Sequence, residues 1–299
     1  MRAICRPRKS SGSDILIKHD VRVDAATYGL YAAVAAAAND LDIELVVTGA
    51  ASRVILLESV YGLPRSRATE DIDFAVMVET WDEYQALADR ICRDPQFRRD
   101  ARQRQRLQYS KGTYLDLVPF GGIETAGHVV RWPPPEQDFV MSVLGFREAC
   151  ADAVRVILNN MLAVRVVSPV GLVLLKLVAW RDRHETHPRR DASDIAHVLR
   201  HFCMIETEKT LFDDHYDAVE AADYDVDLAA ARVLGRRTRD LASEETYQQV
   251  FALLDNELEA GTASRLVREL SDSLPGGGEE RAYALMDQFR KGLSEGIKS

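Results

Sequence analysis

The stretch Asp71-Ile72-Asp73-Phe74-Ala75-Val76-Met77-Val78 constrains this chain more than any other. Its β-branched and apolar residues predict a buried strand. Side chains alternate along a strand, so Asp71 and Asp73 point to one side, roughly 6–7 Å apart at about 3.3 Å per residue. Two unpaired carboxylates at the head of an apolar strand are costly to bury. A divalent cation is the simplest compensation; the alternative is a pair of solvated acids at the end of an edge strand.

The neighbourhood bears on that choice. Val46-Val47-Thr48 reads as a short strand leaving through Gly49, a residue that lets a phosphate or the next helix approach the backbone closely. A helical run from Ala51 to Val60 follows, and its start near Ala50 offers unpaired N–H groups to an anion. Thr48, Ser52 or Ser66 could add a hydroxyl. Downstream, Leu107–Tyr109 and Tyr114–Phe120 predict a β-hairpin turning at Lys111-Gly112. Asp116 interrupts the apolar second strand as Asp73 interrupts the earlier one. Were the two strands neighbours, Asp116 would lie about 5 Å from Asp71 or Asp73. Ser168-Pro169 then marks a helix start, serine as cap and proline at the first helical position. Within that helix Lys176 sits among Leu172, Leu175, Leu177 and Val178, where an ammonium needs an anion unless it snorkels to the surface.

This order of elements resembles the nucleotidyltransferase superfamily that includes DNA polymerase β. Within it, Arg67-x-Thr69-x-Asp71-Ile72-Asp73 looks most like the AbiEii/AbiGii-type nucleotidyltransferases of bacterial toxin-antitoxin and phage-defence systems. The resemblance spans roughly residues 40 to 200 and implies an α+β fold, a mixed sheet with flanking helices followed by a helical C-terminal region. It implies Asp71, Asp73 and Asp116 as ligands of one or two Mg²⁺ ions and, with Lys176, as catalytic residues. Gly49, Ala50, Ser52, Arg53, Arg67, Thr69, Arg190 and Asp191 become nucleotide-binding candidates. The implied substrate is a nucleoside triphosphate, the implied acceptor an RNA such as a tRNA 3′ end, and the implied partner a cognate antitoxin. Ala50 departs from the pattern, since many relatives carry serine or a second glycine there. Two other functions stay open: transfer to a small molecule such as an aminoglycoside, and non-catalytic partner binding on the same scaffold.

The remaining chain divides into a loosely ordered lead-in over residues 1–24, a catalytic domain over 25–167 and a helical domain over 168–299 that lends Lys176 and Asp191 to the site. Helices are expected over Ala25–Asn39, Trp81–Cys92, Ala192–Phe202, Leu211–Ala221, Leu228–Leu241, Glu244–Leu258 and Glu279–Leu293, with a hairpin turning at Asn159-Asn160. A formal charge of −9 excludes a generally basic nucleic-acid coat. It leaves room for a local one: Arg90, Arg93, Arg98, Arg99, Arg102, Arg104 and Arg106 are opposed only by Asp94 and Asp100, and form either a solvated face or a phosphate-contacting surface. Cys5, Cys92, Cys150 and Cys203 have neither metal-ligand spacing nor a disulfide framework, and read as reduced thiols. His184-Glu185-Thr186-His187 lacks the zincin spacing, and His197 and His201 lack a third ligand. No apolar run reaches the length of a membrane span, so a cytoplasmic protein with no membrane partner is expected.

Overall fold

The structure, a computed structural model, describes residues 16–64, 71–110, 112–133, 139–274, 276 and 278–296. The chain opens with β1 (Leu16–Val21), α1 (Ala25–Asp40), β2 (Glu44–Thr48) and α2 (Gly49–Arg53), which runs on into a π-helical segment, Val54–Val60. There follow β3 (Asp71–Val78), α3 (Trp81–Cys92), β4 (Phe97–Arg99), β5 (Arg106–Tyr109), β6 (Tyr114–Gly121), β7 (Val129–Arg131) and β8 (Val140–Ser142). After α4 (Phe146–Ala151), β9 (Val154–Leu158) and β10 (Leu162–Val166), the rest is helical: α5 (Pro169–Arg183), α6 (Arg190–Glu206), α7 (Glu208–Asp214), α8 (Tyr216–Ala221), α9 (Val226–Leu241), α10 (Glu244–Glu259), α11 (Arg265–Ser271) and α12 (Gly278–Glu295).

Eight strands form one mixed sheet in the order β1-β9-β10-β2-β3-β6-β5-β4, and β7 pairs with β8 in a separate ribbon. The expected α+β class, with a mixed sheet, flanking helices and a helical C-terminal region, is what the chain adopts. β3 lies at the centre, antiparallel to β2 and parallel to β6. Along β3, Ile72, Phe74, Val76 and Val78 are buried on one face, and Tyr31 of α1 meets Phe74 edge-on. The period of two therefore sends Asp71 and Asp73 together to the other face.

Local chemistry sets the helix starts. Asp24 accepts from the backbone N–H groups of Ala26 and Thr27 to cap α1, and Ser168 accepts from Gly171 to cap α5, with Pro169 in its first turn. Two expectations need correction. Residues 16–21 are not loose: β1 pairs in parallel with β9 and closes one edge of the sheet. The Leu211–Ala221 pattern is two short helices, because the chain breaks at His215, which has non-helical backbone angles.

Candidate active site

Three strands position the acids. β2 ends with Thr48 opposite Asp73, and β6 carries Asp116 in register with Asp73. Thr48 also donates its hydroxyl to the Asp73 carbonyl oxygen at 3.4 Å. The chain then turns through Gly49 at φ +61°, a left-handed conformation that favours glycine. A Cβ there would lie 1.9 Å from Asp73 Oδ2. The space glycine leaves at this turn is thus filled by the Asp73 carboxylate. Burial, and then the neighbouring Asp116 charge, push Asp73 up to about 6, against the pull of Lys176, Arg190 and Arg183.

Arg106 enters this group from β5. It stands opposite Asp116 in the β5–β6 ladder, and its guanidinium grips both oxygens: Nε to Oδ1 at 2.8 Å and Nη2 to Oδ2 at 2.7 Å. Nη2 also reaches Asp71 Oδ2 at 3.1 Å, and the guanidinium carbon sits 4.9 Å from the Tyr114 ring centroid. Sequence reading placed Arg106 only in an arginine-rich run. The expected turn did not supply its partner: two turn residues at 111–112 would pair Arg106 with Leu117, whereas the ladder pairs it with Asp116, one residue out of that register.

On the helical side, Lys176 does not snorkel. Its ammonium lies 3.0 Å from Asp191 and 2.7 Å from Asp194, all three buried. Arg183 adds two contacts to Asp191 at 2.8 Å. Burial raises the Asp191 pKa, but the Arg183 and Lys176 contacts outweigh it and hold the carboxyl well below the usual carboxylate range. Arg183 and Asp194 were not singled out from sequence. Asp194 follows Asp191 by three residues, on the same helix face, which was the available clue. Arg190 opens α6, and its buried Nε has no hydrogen-bond partner among the described residues.

Other candidates fall elsewhere. Ser52 donates its hydroxyl to the Gly49 carbonyl oxygen, and Ala50 is buried against the core. Arg53 is fully buried, bonded to Glu58 at 2.6 Å and 3.3 Å from Asp194. Both side chains are thus buried and engaged within the chain itself. Arg67 and Thr69 lie outside the described residues. The His197 and His201 rings lie tilted to one another with centroids 4.7 Å apart, and burial lowers His197 to about 4.

The donors suit a hard cation: Asp71, Asp73 and Asp116 all offer carboxylate oxygens. The single three-acid cluster expected for the metal is nevertheless not assembled in this conformation. Among the described residues no three His, Cys, Asp or Glu side chains converge closely enough to hold an ion. The Arg106 guanidinium lies beside Asp116 and Asp71 instead.

Comparison with known proteins adds the following. The family described as nucleotidyl transferase AbiEii toxin, type IV TA system, matches residues 32–273. Among solved structures, the antibiotic-resistance factor ANT(2'')-Ia in solution is similar over 68% of this chain and 99% of its own, with 14% identity and a TM-score of 0.36. None of the curated proteins matches the chain.

Proposed function

The chain belongs to the AbiEii family of nucleotidyltransferase toxins, and from that premise we propose that it uses Mg²⁺ and a nucleoside triphosphate to modify the hydroxyl end of an RNA, such as a tRNA 3′ end. The register of Asp73 and Asp116 across β3 and β6, with Asp71 on the same face, is the observation that carries this reading.

The acceptor hydroxyl attacks the α-phosphate; a new O–P bond forms, and the bond to pyrophosphate breaks. Asp71 and Asp73 would hold the metal. When bound, Mg²⁺ stabilises charge on the phosphoryl oxygens and acidifies the attacking hydroxyl. Asp116 receives the proton from that hydroxyl. Gly49 leaves the space at the β2 turn that the Asp73 carboxylate fills. Arg190 offers to the triphosphate its Nε, which has no hydrogen-bond partner among the described residues, while Lys176 and Arg183, fixed by Asp191, supply positive charge behind it. Arg93, Arg98, Arg102 and Arg104 are exposed around the β4–β5 edge, beyond Arg106, and favour a polyanionic acceptor.

A type IV toxin is paired with an antitoxin, and we place both in the cytoplasm. No helix among the described residues is long and apolar enough to cross a membrane. The test is to incubate four α-³²P nucleoside triphosphates, Mg²⁺ and total RNA with the protein and with an Asp71→Ala/Asp73→Ala control. Label in a discrete RNA band, absent in the control, supports the proposal and names the nucleotide. Label that never reaches RNA overturns the RNA acceptor.

A further inference from the structure

We infer that Arg106 is the resident counter-cation of the acid cluster, a positioning residue that a divalent ion must displace from Asp116 and Asp71 before those carboxylates can share the ion. The inference rests on the reading of the acids as a metal site and goes beyond it, since it assigns a residue outside that site to control of its loading.

The geometry points this way for three reasons. Arg106 engages both oxygens of Asp116 and one of Asp71, so the same atoms that would face a metal face a guanidinium. Its hold is built in: the β5–β6 ladder fixes its backbone opposite Asp116, and Tyr114 lies under the guanidinium. Finally, the guanidinium is partly buried at 17% exposure, beside acids of 12% and 22%, where water screens charge poorly and a fixed cation repels an incoming one. Arginine stays protonated at any pH the protein survives, so the latch opens by movement of the side chain rather than by loss of charge. β5 lies next to the short edge strand β4.

A purely structural salt bridge makes the opposite forecast. Removing it would loosen the acids and weaken or leave unchanged their grip on a metal. If Arg106 is a competitor, removing it strengthens that grip.

The measurement is Mn²⁺ binding to the full chain, followed through the electron paramagnetic resonance signal of the free ion, for wild type, Arg106→Gln, Arg106→Lys and Arg106→Gln/Asp73→Asn. Thermal melting verifies that each variant is folded. Arg106→Gln is expected to bind Mn²⁺ about tenfold or more tightly than wild type, with Arg106→Lys between them, because lysine keeps the charge without the two-pronged grip. The double variant should lose the gain. Should Arg106→Gln fail to fold, Arg106→Lys decides alone. Equal or weaker binding in the folded variants overturns the inference while leaving the metal site standing. Absence of Mn²⁺ binding in every protein, wild type included, overturns the metal site and the inference together.

Discussion

Asp73 is the residue on which the site turns. Its folded pKa, about 6, lies above the ordinary 3.8, so the metal-free fold gains from this group below about pH 4 and loses that gain as pH rises through 6. Asp73→Asn should therefore stabilise the metal-free protein by about 1–2 kcal/mol at pH 7, and by little at pH 4, while abolishing transfer. Urea denaturation at both pH values would show it; equal effects at the two would sink the assignment. Gly49 makes the complementary case. Gly49→Ala forces a Cβ into the Asp73 carboxylate and a left-handed φ on alanine. Transfer is expected to fall about 100-fold, as catalytic groups displaced by about an ångström do. Activity near wild type, with the fold intact, would contradict the role given to this glycine.

Elements make different demands. α5 and α6 are pinned together by Lys176 between Asp191 and Asp194. Lys176→Met leaves two buried acids short of a cation and should cost about 3–5 kcal/mol. Adding Asp194→Asn should recover part of that loss; no recovery would show that the lysine acts through packing alone. α9 and α12 cross at glycines. A Cβ at Gly235 would lie 2.0 Å from the Phe289 carbonyl oxygen, and one at Gly292 would lie 1.9 Å from that of Arg232. Either glycine changed to alanine should push the helices apart and destabilise by about 1–3 kcal/mol, read as a lower denaturation midpoint. Neither position touches the acids, so specific activity of the folded fraction should stay unchanged.

At the scale of the molecule, the division at residue 167 falls across a shared interior. Arg53, beside β2, is fully buried 3.3 Å from Asp194 of the helical part, and Asp73 feels Lys176, Arg183 and Arg190 across the same boundary. A fragment ending at residue 167 would strip Arg53 of a partner, and it is expected to lack a cooperative thermal transition while the whole chain melts in one. A sharp transition in the fragment would show that the residues up to 167 fold without the helical part.

Much of this was legible in the chain itself. Alternation placed Asp71 and Asp73 on one side of a strand, the Lys111-Gly112 turn predicted the hairpin that carries Asp116, and Ser168-Pro169 marked the start of α5; each is a local rule of backbone geometry or capping, and needs only neighbours in sequence. What touches what was decided elsewhere. That β6 lies beside β3, that Arg106 faces Asp116, that Arg53 turns inward to Asp194 and that residues 16–21 join the sheet all depend on which strands pair across long loops. Long-range pairing and the partnering of buried charge are set by the energy of the assembled interior, where each charge must find the partner that desolvation demands. No stretch of sequence contains that sum by itself.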